Sequence, residues 1–340
     1  RMGVHHRVAS SGAPAIDRLT IDNDGASYSV SIPGSGNSPT LHSPRRSTLD
    51  PLLLATAERA GVSAYLGVSV RSVTFDRHGR ADGVVGVTID GRPWRARGRF
   101  VIGADGSASV VARHTGAREY SQHPPTNAAH YAYWSGLDDR GYELWYRTDR
   151  LMAGVVPTDD GACVFVNCHR DLAPQLRADI ESGYRSFLGR CAPDLVERLG
   201  AAVCTSKVRG TVGTRAFRRV PHGPGWVLVG DAGCTKDPAS AHGITAALLD
   251  GERAALAIAR VIDGASEQVE LDRFHHERDA SGALLYDTTA AMADYRWNGR
   301  SLLALQARFA EGLEADARDA GGRRPWVGMP FDGRFAGRAA

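Results

Sequence analysis

The chain has 340 residues, which at ~150 residues per domain predicts two domains, or one large fold with an embedded second sheet. Its 41 basic and 38 acidic residues leave a net charge of +3, and no like-charge run is long enough to form a nucleic-acid arm. No stretch approaches the ~18 uninterrupted apolar residues of a membrane span. The first residues lack the apolar core of a signal peptide, and 39 glycines with 16 prolines are too few for a low-complexity chain. Lys207 and Lys236 are the only lysines, so 39 of the 41 basic residues are arginine; this is read as codon bias rather than as a binding surface. The cysteines, Cys163, Cys168, Cys191, Cys204 and Cys234, are odd in number and scattered. That pattern predicts no disulfide framework and a cytoplasmic protein.

In chain order, prolines and glycines from Ser31 to Pro44 predict a loop. Leu49, Leu52, Leu53, Thr56, Ala57 and Ala60 then recur at helical spacing, with Pro51 in the first turn and Gly61 as a stop. Strands are expected over Val62–Phe75 and Val84–Ile89, joined at Arg77–Arg80, with a second hairpin signal at Asp90-Gly91. Alternation predicts one further strand, with Trp94, Ala96, Phe100 and Ile102 on one face and Arg95, Arg97 and Arg99 on the other. It ends in Gly103-Ala104-Asp105-Gly106, before a short helix reaching Arg113.

From Asn127 to Cys168 the sequence reads as an antiparallel sheet, followed by helices near Ala173–Leu188 and Pro193–Leu199. Lys207–Phe217 returns as a strand. Trp226–Val229 is a short buried-type strand ending in Gly230-Asp231. A helix is expected from Gly243, and two more over Leu271–Ala293 and Ser301–Ala317.

The chemistry concentrates in WVLVGDAGCTKDPASAHGITAALLD, from Trp226 to Asp250. An aspartate at a strand end can accept hydrogen bonds from a ribose or ribityl hydroxyl. A helix N-terminus presents unpaired N–H groups to a polarised oxygen, and glycine there lets a planar ring approach the backbone. The same residues also fit a purely structural strand–loop–helix connection.

VLVGDAxxxxDPxxAxGI resembles the second flavin-contact motif of p-hydroxybenzoate-hydroxylase-type FAD-dependent monooxygenases and related oxidoreductases. FVIGADGSASVVAR, from Phe100 to Arg113, resembles their Asp-Gly motif, with Ala112 intervening before the arginine. Arg46, Leu49 and Leu53 match a third signature, an arginine followed by xxLxxxL. The resemblance covers nearly the whole chain and implies FAD as cofactor with NAD(P)H as reductant. It places Arg46, or Arg45 if the register slips, along the FAD pyrophosphate. Asp105, between Gly103 and Gly106, supports the cofactor region and nicotinamide use; Asp231, after Gly230, binds the ribityl chain. Pro238 lines the flavin ring, and the N–H groups of Gly243, Ile244 and Thr245 face its pyrimidine edge.

The fold implied is α/β (α+β): an incomplete Rossmann-like FAD-binding domain, an inserted antiparallel-sheet substrate domain, and C-terminal helices. The expected division is 1–120 for the first part of the FAD domain, 121–220 for the substrate domain, 221–265 for the return segment and 266–340 for the helical region. The GxGxxG strand–turn–helix of the family is absent. Gly34-Ser35-Gly36-Asn37-Ser38-Pro39 lacks the third glycine, so the first βαβ unit is expected to be missing from this sequence, as in a fragment, a misplaced gene start or a truncated paralogue.

Cys163 and Cys168 fall on opposite strand faces, so they are not read as a metal pair. His5-His6 and His275-His276-Glu277 are read as solvated, and Cys234 as a small buried side chain. Tyr131, Tyr133, Trp134, Trp145 and Tyr146 are candidates to line an aromatic or lipophilic pocket, with alternation expected to send half of them against core or to the surface. No protein acid or base is assigned; the resemblance implies that the flavin carries the oxygen chemistry while the protein positions substrate and excludes water. The expected function is a monooxygenase acting on an aromatic or lipophilic small molecule, with no nucleic-acid partner, no transmembrane segment and no oligomeric state assigned. The alternatives are a double-bond reductase of geranylgeranyl-reductase type and a non-catalytic binding protein. A halogenase is disfavoured by the lack of a WxWxIP string and of any well-placed lysine besides Lys236.

Overall fold

A computed structural model describes residues 3–32, 40–177 and 179–321. The Pro33–Pro39 part of the expected loop, with its Gly34–Pro39 string, lies outside them, as does the end of the expected C-terminal region from 322 on. A short helix α1 (His5–Ala9) precedes the hairpin β1 (Arg18–Asn23) and β2 (Ala26–Ser31). Helix α2 (Arg46–Arg59) carries Pro51 inside it and stops before Gly61, which takes φ +94°. Strands β3 (Val68–Phe75), β4 (Ala81–Thr88) and β5 (Pro93–Arg97) form an antiparallel meander, so the first strand starts at Val68 rather than Val62.

The single strand expected from Trp94 to Ile102 is in fact two. β5 ends at Arg97, the chain turns at Gly98, whose N–H donates to the Asp82 carbonyl at 3.1 Å, and β6 (Val101–Gly103) joins a different sheet. The turn resets the alternation. Val101 is therefore buried while Ile102 is 50% exposed, the reverse of what one continuous strand would give.

Helix α3 (Val110–Thr115) and β7 (Glu119–His123) lead into β8 (Asn127–Ser135), β9 (Tyr142–Arg147), β10 (Leu151–Thr158) and β11 (Gly161–His169). These four form the expected antiparallel sheet in the order β8-β11-β10-β9, and β1 extends it by pairing in parallel with β9, Leu19 opposite Tyr142. Helices α4 (Ala173–Arg177), α5 (Ile180–Cys191) and α6 (Pro193–Leu199) close one face. The expected single helix over 173–188 is divided because Asp179 caps α5, accepting from the N–H groups of Glu181 and Ser182. Trp134, Trp145, Val164 and Cys168 meet Tyr184, Phe187 and Leu195 in the largest core.

β12 (Val203–Cys204) and β13 (Arg209–Val212) pair with β8. The strand expected over Lys207–Phe217 is thus broken before β14 (Ala216–Arg219), which pairs with β7. After β15 (His222–Gly223) comes β16 (Trp226–Leu228), which runs parallel to β6 with Leu228 opposite Gly103. Trp226 and Leu228 pack towards α3 and the meander, while Val227 and Val229 pack on the next helices; burial on both faces is why this run is continuously apolar. β17 (Cys234–Thr235) pairs with β14. Helices α7 (Gly243–Ile262), α8 (Glu267–Ala293) and α9 (Gly299–Gly321) complete the described chain. Met292, Tyr295, Trp297 and Leu302 cover part of the large sheet's second face, against Ile21, Tyr146 and Met152. No helix among the described residues is long and apolar enough to cross a membrane.

Candidate functional site

The parallel register of β6 and β16 brings two sequence-predicted turns, more than a hundred residues apart, to one carboxyl edge. In open α/β sheets this is the edge where ligands bind. Gly103 is required by packing. A Cβ there would lie 2.7 Å from Leu228 Cδ2 and 2.8 Å from Val111 Cβ. Gly106 takes φ +76°, a conformation that costs glycine little. Between them Asp105 reaches the first turn of α3, whose N-cap is Ser109: its Oδ2 accepts from Val110 N at 2.6 Å and Val111 N at 3.3 Å. Asp105 thus has a structural task and stays exposed.

On the neighbouring strand Gly230 takes φ +56°, and a Cβ there would lie 2.9 Å from Ala247 Cβ. Its N–H donates to the buried Asp250 carboxylate at 3.2 Å. The turn is thereby held against α7, about one turn inside its N-terminus at Ala247 and about two at Asp250. Asp231 is solvent-accessible, yet surrounding protein raises its carboxyl pKa, opposed by the charge of Lys236. Accessibility together with desolvation describes a group in a concave surface.

The following loop is fixed by a buried chain of hydrogen bonds. Asp237 Oδ1 accepts from Ala239 N at 2.9 Å and from Asn127 Nδ2 at 2.8 Å, and Asn127 Oδ1 accepts from the Tyr295 hydroxyl at 2.9 Å. Pro238 opens the short turn that Asp237 caps and is exposed. His242 stands at the α7 N-cap without capping the helix through its side chain. Burial lowers its pKa to about 4, so the ring is neutral near pH 7; Nε2 lies 3.6 Å from Asp316 Oδ2. Gly243, Ile244 and Thr245 are exposed on the first turn, and a Cβ on Gly243 would meet nothing within 4 Å. A 20-residue helix with an uncapped, open N-terminus, beside an accessible carboxylate, suits a ligand that offers hydroxyls and an electron-rich edge.

Nine of the ten expected site residues therefore lie on the two turns, the loop and the helix start at this edge. Arg46 stands apart: it is exposed and paired with Asp50, with Nε–Oδ1 2.6 Å. Its neighbour Arg45 is drawn to the β10–β11 hairpin, donating from NH2 to the Asp160 carbonyl at 2.9 Å and stacking over the Tyr133 ring at 3.9 Å.

A cavity of about 250 Å³ adjoins the loop, lined by His123, Thr126, Ala216, Asp237, Asp287 and Arg296, among others. Asp237 and its partners Asn127 and Tyr295 were not singled out from the sequence. Asp237 had a signal, since it precedes Pro238 inside the motif. Asn127 and Tyr295 had none, because their hydrogen bond spans 168 positions.

Among the aromatic residues, Trp134, Trp145 and Tyr146 are buried while Tyr131 and Tyr133 remain half-buried. Cys168 is in the core and Cys163 faces away from it, its thiol pushed up to about 12 by burial. Cys234 is half-buried and likewise shifted upward by burial. No group of three or more His, Cys, Asp or Glu residues suited to a metal occurs among the described residues. His276 is exposed as expected, but His275 is half-buried, with Nε2 3.4 Å from both the Tyr120 hydroxyl and an Asp279 oxygen.

Such an edge, with its glycine turns, acidic strand end and bare helix start, is that of an α/β protein of the FAD-binding class. Residues 1–289 match the family model described as an FAD binding domain, and the chain belongs to that family. It is similar to the tryptophan 2-halogenase of Chondromyces crocatus, 23% identical over 298 residues, covering 81% of this chain and 56% of the relative. It is also similar to the flavin-dependent halogenase ascD of Acremonium egyptiacum, 26% identical over 280 residues and covering 74% and 50%. The chain thus spans about half the length of these curated relatives.

Two solved structures share the fold. A flavin-dependent brominase has a TM-score of 0.77 at 18% identity, with 93% of this chain and 80% of that one covered. A probable FAD-dependent monooxygenase from Pseudomonas aeruginosa has a TM-score of 0.73 at 22% identity, with 92% and 85% covered.

Proposed function

We propose that the protein is a flavin-dependent monooxygenase that uses NAD(P)H and dioxygen to hydroxylate an aromatic or lipophilic small molecule. The observation that carries this reading is the cavity reaching Asp237, one residue from the loop proline expected to line the flavin ring. A substrate there would lie beside the ring, as direct oxygen transfer requires.

In this reading Asp231 accepts hydrogen bonds from the ribityl hydroxyls, and Gly230 allows the loop to sit tightly on α7. Pro238 borders the ring, and the N–H groups of Gly243, Ile244 and Thr245 face its electron-rich edge. Gly103, Asp105 and Gly106 shape the adjoining turn. Arg46 supplies a guanidinium for the pyrophosphate. Its exposed pair with Asp50 is of a kind worth only ~0.3–0.5 kcal/mol, so exchange for phosphate is inexpensive. Residues 1–120 and 221–265 would together hold the cofactor, residues 121–220 would bound the substrate, and the helical region that begins at residue 266 would stand beside both. Bound FAD supplies the redox chemistry, carrying electrons from NAD(P)H to dioxygen. The protein orients the substrate and keeps water from the reacting centre. One oxygen atom enters the substrate and the other leaves as water.

Halogenation is the second reading, favoured by the names of both curated relatives and opposed by the lack of a WxWxIP string. The test is oxygen and NADPH consumption by the full-length FAD-loaded protein, with aromatic substrates and with or without bromide. Hydroxylated product in both conditions supports the proposal. Product formed only with bromide, and brominated, replaces it with halogenation, and turnover without oxygen replaces it with reduction.

A further inference from the structure

The acid at the inner end of the cavity has a feature that the proposed reaction does not explain. Asp237 is 4% exposed. Both of its hydrogen bonds fall on Oδ1, and among the described residues it forms no ion pair. Burial raises its carboxyl pKa, and among the described residues only the hydrogen bonds from Ala239 and Asn127 oppose that shift. A buried carboxylate without a cation is costly, and a cation supplied from outside the chain would offset that cost.

The cavity wall has matching chemistry. Asp287 and Asp294 add two acids. Arg296 is the one arginine on the wall, and its Nε is engaged by Asp294 Oδ2 at 2.6 Å. His123 Nε2 lies 3.8 Å from Asp287. Among the described lining residues the three acids Asp237, Asp287 and Asp294 thus outnumber the single arginine, whose guanidinium lies at the exposed mouth. The remaining wall includes Ala216, Ala290 and Pro124, short side chains that leave room for a flat ring.

Asp237 is also held rigidly. Asn127 fixes its Oδ1 from one side, and Asn127 is fixed in turn by Tyr295, which is 4% exposed and sits at φ +54°. A side chain other than glycine rarely adopts that backbone conformation, and it marks a place where packing overrides local preference.

We propose that this cavity is the substrate site and that it selects a compact cyclic amine, its ammonium group held by Asp237 Oδ2 and its ring laid along the alanine wall. The placement next to the flavin rests on the monooxygenase reading; the preference for a cation rests on the cavity alone.

The experiment measures dissociation constants of benzylamine, benzyl alcohol and benzoate by ligand-observed NMR with the full-length FAD-loaded protein. These probes share one ring and differ in charge. Benzylamine is expected to bind about tenfold tighter than benzyl alcohol, the scale of a charge-assisted hydrogen bond, and benzoate more weakly than either. Asp237→Asn keeps an oxygen for Ala239 N and removes the charge. It should abolish the benzylamine advantage while leaving benzyl alcohol within about twofold. Melting temperature and FAD content of the variant separate this effect from loss of the loop. As a variant that spares the buried network, Asp287→Asn at the exposed rim should reduce the advantage by less than Asp237→Asn does. Equal binding of the three probes to a protein that retains FAD would overturn the amine assignment and leave the flavoenzyme reading standing. Failure to take up FAD would instead overturn that reading, with the probe selectivity still testing the cavity.

Discussion

The large antiparallel sheet and the small parallel pair of β6 and β16 solve different problems. The sheet buries one face completely under α5 and α6, with Tyr184, Leu188 and Leu195 almost wholly enclosed. The parallel pair is only three residues deep in each strand, and its carboxyl edge ends in glycines, accessible carboxylates and an uncapped helix. Stability is concentrated in the first region, and the second is the proposed cofactor site. Substitutions in the two should therefore separate folding from cofactor binding.

The largest expected effect lies in the sheet's core. Phe187→Ala removes a ring from between helix and sheet and should cost about 3–5 kcal/mol, read as a lower denaturation midpoint, with FAD affinity of the folded fraction unchanged. A cost below about 1 kcal/mol would show that the core is elsewhere.

Next comes acid sensitivity at the helix start. Burial holds His242 near a pKa of about 4, against an ordinary value of ~6.5 in the unfolded chain. Its contribution is fully present above pH 6.5 and is lost as pH falls from there towards 4, because the unfolded state takes up a proton that the folded state refuses. The loss should reach on the order of 3 kcal/mol. His242→Asn should flatten that limb of the stability–pH curve; an unchanged slope would mean that another group sets it.

A smaller effect is expected where the two regions' logics meet. In Gly103→Ala the added methyl meets Leu228 and Val111, and overpacking of this kind costs about 1–3 kcal/mol. The same shift should disturb the Asp105 turn and weaken FAD. Full stability in this variant would contradict the tight contact between β6, β16 and α3.

Legibility followed the range of the interactions involved. The start of α7 at Gly243 and the strand leading to Gly230 were readable, because a helix start and a doubly buried strand are written in consecutive residues. The division between β5 and β6 was not. Arginine and apolar residues alternate through it, and only the partner strand β16, far along the chain, decides that Val101 rather than Ile102 faces the core. Asp237 was visible as a motif letter, but its burial against Asn127 and Tyr295 depends on the tertiary return of the chain after α8. The site's backbone was thus written locally, while the side chains that fix its electrostatics came from three distant segments.

The smallest stability change should accompany the sharpest functional one, in Asp231→Ala. The side chain is accessible and supports no neighbouring element, so stability should stay within about 0.5 kcal/mol, while loss of a charged acceptor for the ribityl hydroxyls should weaken FAD about tenfold or more. Titrating the full-length wild-type and Asp231→Ala proteins with FAD, followed by quenching of flavin fluorescence, tests the carboxyl-edge site most directly. A saturable wild-type curve and a variant curve displaced at least about tenfold, at equal melting temperature, is the result predicted. Superimposable curves would contradict it.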